Sequence, residues 1–219
     1  MISAQHDTLV ELLLQNIPRD LVMGIEDALQ VGAVRGHAPS VGMNDGHKPS
    51  VIGYMRHFHM NETFHDALSV GGANPNRIHG NKIVVGRSGI FSVARFNITA
   101  GGRSSGHRSK TRREMAKANR AVEPLIQPSL FGATEPIAEA TVFFVASFNA
   151  GQYRNAESPF SIEIAVPDHK MTSWLFRESV HRFATRYDAG LPQVDLAVPT
   201  LKNNIIELKL DKKIGRAHV

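Results

Sequence analysis

Residues 82–98, KIVVGRSGIFSVARFNI, contain the clearest pair of strand patterns in the chain and decide its fold class. Two apolar runs, 82–86 and 90–98, flank the glycine-containing turn 87–89, and this arrangement predicts a β-hairpin. Three more apolar runs predict further strands, at 141–148, 160–166 and 205–210. Because the strands come in adjacent pairs rather than alternating singly with helices, the sequence predicts an α+β fold with a mainly antiparallel sheet.

Three segments complete the predicted α+β domain. A short strand is expected at 51–60, and a basic helix at 110–123 lies between the two strand pairs. Residues 171–187 predict a long C-terminal helix packed on the sheet. Its apolar stripe is formed by Phe176, Val180, Phe183 and Tyr187.

The domain organisation follows from changes in composition. Apolar residues at helical spacing predict an N-terminal helical hairpin over residues 1–35. Residues 36–50 are rich in Gly, Pro, His and Asn and predict a loop or linker, with the α+β domain following at 51–213. The last residues, 214–219, resemble a translated sequencing adapter and are left out of the fold argument.

Composition excludes several classes of function. The 219 residues include no cysteine, which rules out disulfides, cysteine-based zinc fingers, iron–sulfur clusters and cysteine nucleophiles. The sequence has no apolar run of the length of a membrane span, and its first residues do not form a secretory signal. We therefore expect a cytoplasmic protein without a membrane partner. P-loop, GxGxxG and HExxH motifs are also absent, and Gly86-Arg87-Ser88-Gly89 lacks the GxSxG spacing of a serine nucleophile.

Positive charge is concentrated in one segment, 103–120. The net charge of the chain is +5, and the residues outside this segment include one more acid than base. Within the segment a single acidic residue, Glu114, accompanies seven basic ones: Arg103, Arg108, Lys110, Arg112, Arg113, Lys117 and Arg120. A local excess of this kind attracts polyanions. The sequence therefore predicts a nucleic-acid-binding protein, with DNA and RNA both open.

The basic segment also has a helical pattern. Ser109 is a suitable N-cap. On a helix, Lys110, Arg113, Lys117 and Arg120 share one face, where they can bind backbone phosphates without reading sequence. Arg56, Arg77, Lys82 and Arg87 are expected auxiliary contacts. An acidic protein partner and a solvated face without a partner are the alternatives for this segment.

A hydrolase or nuclease is the first alternative function. If 54–60 is a strand, His57 and His59 point to one face, and His65 could complete a metal site with them. His79 lies in a loop with cations and could act as a general acid or base. Glu163 and Asp168 could serve a metal-dependent nuclease, although their spacing matches no nuclease motif. No cofactor is indicated.

A protein-interaction module is the second alternative. The leucine-rich hairpin could provide a docking surface for another protein or form a homodimer.

Overall fold

The computed structural model of the protein describes residues 2–99, 109–126, 137–149 and 156–188, all of which belong to one compact unit. The described α-helices are α1 (Ile2–Asn16), α2 (Arg19–His37), α3 (Lys48–Val70), α4 (Lys110–Ala116), α5 (Glu123–Ile126) and α6 (Val180–Asp188). The described strands are β1 (Val85–Ser88), β2 (Phe91–Thr99), β3 (Ala140–Phe148), β4 (Ser161–Pro167) and β5 (Trp174–Ser179).

The five strands form one sheet in the order β1-β2-β3-β4-β5. Only β2 and β3 pair in parallel, and the other three pairings are antiparallel. The chain between β2 and β3 contains α4, because parallel neighbours need a crossover connection. The predicted α+β class with a mainly antiparallel sheet is confirmed.

Both faces of the sheet are covered, as β3 shows. Its nine residues are all buried. Val142, Phe144 and Ala146 belong to the large core formed with α1, α2 and α3, while Phe143 and Val145 belong to a smaller cluster that includes Ala116 of α4. A strand covered on both faces is continuously apolar, which is why the prediction for this segment was accurate.

Helices α2 and α3 pack at very short distance through two glycines. A Cβ atom on Gly36 would lie 2.4 Å from Cα of Arg56, and one on Gly32 would lie 2.4 Å from Oγ1 of Thr63. Thr63 also donates a hydrogen bond to the carbonyl oxygen of Ala28 at 2.7 Å. Helix α3 begins at Lys48, inside the predicted linker 36–50. The packing of α2 on α3 therefore brings together the segments that precede and follow this linker.

The apolar side chains of the N-terminal hairpin are buried within this chain. Leu9, Leu13, Leu21, Ile25 and Leu29 are at most 1% exposed and belong to the large core. A docking surface or a dimer made by these leucines is therefore not supported. Within the described residues, no helix has the length and apolarity needed to cross a membrane.

Two predicted elements are wrong. Residues 51–60 form part of the helix α3 rather than a strand. The predicted long helix at 171–187 is divided into β5 and α6, which meet between Ser179 and Val180. Its apolar stripe nevertheless stays together, because the Phe176 and Phe183 rings are 5.8 Å apart across the strand–helix junction. The predicted strand at 205–210 and the tail at 214–219 lie outside the described residues.

Candidate functional site

The outward face of the basic segment is formed as its sequence predicts. Ser109 caps α4, its hydroxyl accepting a hydrogen bond from the backbone N–H of Arg112 at 3.4 Å. The helix is shorter than predicted, since a 3-10 helix, Lys117–Ala121, follows α4 directly. Four cationic side chains are exposed along these two elements: Lys110, Arg113, Lys117 and Arg120. Arg103 and Arg108 lie outside the described residues.

Among the described residues, three of these four cations have no ion-pair partner. Lys117 lies 2.7 Å from the carboxylate of Glu114, and both side chains are more than half exposed. The hydrogen bond and charge of Lys117, with smaller effects from Lys110 and Arg113, hold the pKa of Glu114 below its ordinary value. Within the described ranges, Lys110, Arg113 and Arg120 have no carboxylate within 4.0 Å. Their charge is therefore available to an external anion.

Arg112 does not share this outward face. It is half-buried, and Cζ of its guanidinium lies 4.4 Å from the centroid of the buried Phe96 ring, a cation–π contact. Burial lowers the pKa of Arg112. Its Nη1 atom is buried without a hydrogen-bond partner among the described residues. The two faces of α4 therefore carry cations in different environments.

A cleft of about 1020 Å³ lies beneath the inner face of α4. Strand β1 pairs only with Phe91–Ala94 of β2, so the second half of β2 has no strand neighbour on that side among the described residues. The cleft occupies this open edge, with α3, α4 and the loop 76–83 around it. Its polar lining includes His57, Asn61, Lys82, Arg95, Asn97 and Arg112.

Arg95 is the most buried cation of the cleft, with 4% of its surface exposed. Its Nη1 donates to Oδ1 of Asn97 at 3.1 Å, and its Nη2 donates to the carbonyl oxygen of His57 at 2.8 Å and to Oδ1 of Asn61 at 2.6 Å. All three acceptors are neutral, and Nε has no partner among the described residues. Burial lowers the pKa of Arg95 to about 9.

His57 lies beside the guanidinium of Arg95. Burial, and then the positive charge of Arg95, lower the pKa of His57. Because Oδ1 of Asn61 accepts from Arg95, the amide nitrogen of Asn61 faces Nε2 of His57, 3.3 Å away. Nε2 is therefore the acceptor in this contact, and the ring proton is on Nδ1.

The loop 76–83 brings two of the predicted site residues to the cleft. Asn76 orders the loop, because its Oδ1 accepts from the backbone N–H of Val85 at 2.7 Å and its Nδ2 donates to the carbonyl oxygen of Ile83 at 3.2 Å. His79 and Lys82 are exposed and line the cleft.

The other predicted auxiliary cations lie elsewhere. Arg77 and Arg87 are exposed but are not part of the cleft lining. Arg56 is 7% exposed, lies 3.9 Å from the centroid of the Phe148 ring and donates to the carbonyl oxygen of Ala156. It is therefore a core residue rather than a surface contact.

The predicted histidine metal site is wrong in its geometry. His57 and His59 are on a helix, where residues two apart point in different directions. His59 is 3.0 Å from Glu62, and His65 is 3.7 Å from Asp66. The described residues contain no group of three His, Asp or Glu side chains placed to hold a metal ion.

The two acidic candidates for a nuclease have other partners. Glu163 forms an ion pair with Arg177. Asp168 accepts hydrogen bonds from the backbone N–H groups of Thr172 and Ser173, at 2.7 and 3.1 Å, and so fixes the turn before β5 rather than capping a helix.

The sequence analysis missed Arg95 and Asn61. Arg95 could have been identified from the sequence, because it is the one charged residue in the apolar run 90–98. Residues within such an apolar run are buried in a sheet. Asn61 had no comparable signal, because its partner lies 34 residues away in the chain. Comparisons with protein-family models, with curated proteins and with solved structures found no match to this chain.

Proposed function

We propose that this protein binds nucleic acid through phosphate contacts made by the outward face of α4 and the 3-10 helix after it. The observation that supports the proposal is the exposure of Lys110, Arg113 and Arg120, which have no ion-pair partner within the described residues. Guanidinium and ammonium groups arranged in this way bind phosphate oxygens independently of base sequence.

The paired cation on this face is consistent with the same function. Lys117 and Glu114 are both exposed, so water and salt screen their attraction strongly. A phosphate group can compete for Lys117 at little energetic cost. No aromatic side chain accompanies these cations between Lys110 and Arg120, so base stacking is not expected to contribute.

Charge reversal on this face tests the proposal. The variant Lys110→Glu, Arg113→Glu, Arg120→Glu should weaken binding of a fluorescent oligonucleotide, measured by anisotropy, by roughly a hundredfold or more. The control variant Arg19→Glu, Arg35→Glu, Lys170→Glu changes the net charge by the same amount at other exposed positions and should retain most of the affinity. Equal loss in both variants would show that only the total charge matters, which contradicts a defined binding face.

Polyglutamate distinguishes nucleic acid from an acidic protein partner. It carries a similar density of negative charge but no phosphate. Tighter binding of duplex or single-stranded oligonucleotide than of polyglutamate is expected. The opposite order of affinity would favour an acidic protein as the partner of this face.

A further inference from the structure

The cleft at the open edge of β2 has a one-sided charge distribution. Arg95, Arg112 and Lys82 line it, together with two histidines, and none of the described residues of its lining is Asp or Glu. The described part of the cleft lining is therefore electropositive.

Arg95 gives the strongest indication that an anion belongs here. A buried cation is normally paired with a carboxylate, because removing a charge from water is costly unless another charge compensates it. Arg95 is 4% exposed and has only neutral acceptors, and its Nε–H remains unused among the described residues. An anion entering the cleft would supply the missing acceptor and the missing charge.

Arg112 supplies a second unused donor from another element. Its Nη1 is buried without a partner among the described residues, while its Cζ lies 4.4 Å from the centroid of the Phe96 ring. The two arginines belong to β2 and α4, and both line the cleft.

We propose that this cleft binds a phosphate monoester, with Arg95 and Arg112 as the charged ligands of the phosphate group. A phosphate monoester carries up to two negative charges at neutral pH, which matches the buried Arg95 together with the half-buried Arg112 better than a single carboxylate does. Its three terminal oxygens can accept from donors in several directions, whereas a carboxylate is planar. A cleft of about 1020 Å³ also has room for a ligand of nucleotide size attached to the phosphate.

Two sources can supply such a group: a free nucleotide or the phosphorylated end of a nucleic-acid strand. The second source would connect the cleft with the outward face of α4, because both faces belong to one helix. The proposal itself does not depend on that connection, since a mononucleotide needs only the cleft.

Neighbouring arginines on α4 provide a matched pair of variants. Arg112→Gln and Arg113→Gln remove the same charge, one from the cleft and one from the outward face. Adenosine monophosphate (AMP) is titrated into the full chain, with adenosine as the neutral control and succinate as the carboxylate control. Binding is followed by calorimetry and by the NMR signals of His57, which lies beside Arg95.

AMP should bind the wild-type protein and raise its melting temperature, because a ligand of the folded state stabilises it. Adenosine and succinate should do neither. Arg112→Gln should weaken AMP binding by at least about tenfold, while Arg113→Gln should leave it unchanged. If Arg112→Gln does not fold, Arg112→Lys keeps the charge and removes the planar fork, and it should still weaken AMP binding measurably.

Strand ends are tested with single-stranded oligonucleotides that carry a phosphate or a hydroxyl at each end. A preference for a terminal phosphate that is lost in Arg112→Gln assigns the site to strand ends, and AMP binding without this preference assigns it to free nucleotides.

The proposal is overturned if neither AMP nor phosphorylated strands bind the cleft at millimolar concentration. Tighter binding of succinate, or AMP binding that depends on Arg113 but not Arg112, would overturn it as well. Weaker oligonucleotide binding in Arg113→Gln, with AMP binding intact, tests the outward face separately.

Discussion

The guanidinium of Arg95 donates a hydrogen bond to the side-chain oxygen of Asn61 over 2.6 Å, and this contact joins strand β2 to helix α3. The two residues are 34 positions apart in the chain, and both are buried. The amide of Asn61 also faces His57 on the same helix. One buried side chain therefore supports the cation of the cleft and orients its neutral histidine.

Loss of the Asn61 amide should destabilise the fold. Asn61→Leu removes an acceptor from a buried cation, and we expect the free energy of unfolding to fall by about 2–3 kcal/mol. Urea denaturation measures this change. The double variant Asn61→Leu, Arg95→Met removes both the acceptor and the charge, so its loss should be smaller than the sum of the two single losses. Strict additivity would show that the two side chains do not interact.

The pKa of His57 should be lower than its ordinary value of 6.5, because the ring is partly buried beside Arg95. The unfolded chain then takes up a proton at a higher pH than the folded chain does. The contribution of His57 to the free energy of unfolding is therefore fully present above pH 6.5 and is lost as the pH falls below this value. NMR titration gives the pKa directly, and urea denaturation at several pH values gives the stability.

Arg95→Met separates the two causes of this shift. The pKa of His57 should rise in this variant but stay below 6.5, because burial, the larger cause, remains. An unchanged pKa would mean that the charge of Arg95 does not reach the histidine.

Two glycines of α2 should respond to alanine with opposite signs. Gly36→Ala places a methyl group 2.4 Å from Cα of Arg56, so the helices must separate, and a loss of about 1–3 kcal/mol is expected. Gly24 has no atom within 4 Å of the position of an added Cβ, so Gly24→Ala should stabilise the helix by about 0.5–1 kcal/mol. Thermal or urea denaturation of the two variants provides the comparison. Destabilisation of equal size at both positions would argue against close packing of α2 on α3.

The central strands could be predicted from sequence because their burial follows from their composition. Strand β3 is apolar at all positions except Thr141 and Ser147 and is covered on both faces, so its pattern did not depend on knowing the tertiary structure. The exposed cations of α4 could also be predicted, since charged side chains on one helical face normally face water.

Helix α3 could not be predicted because its burial does not follow polarity. Arg56 and Asn61 are buried, whereas Tyr54 and Phe58 are exposed at 64% and 37%. The apolar residues therefore do not mark the buried face of the helix, and the mistaken strand led to the mistaken metal site.

The position of Asn119 illustrates a second limit of prediction from sequence. Its side chain is fully buried and makes three hydrogen bonds, to the backbone N–H and carbonyl oxygen of Thr141 and to the carbonyl oxygen of Pro167. These partners lie 22 and 48 residues away, so no local pattern predicts that an Asn within a basic helix is a core residue.

The salt dependence of oligonucleotide binding tests the account most directly. Three phosphate contacts, by Lys110, Arg113 and Arg120, predict a slope of about −2.7 in log K against log salt concentration for duplex DNA and about −2.1 for a single strand, or steeper. Arg113→Gln should reduce the steepness by about one contact, while Arg35→Gln should leave it unchanged. A slope near zero, or the same slope in wild type and Arg113→Gln, would contradict phosphate binding by the outward face of α4.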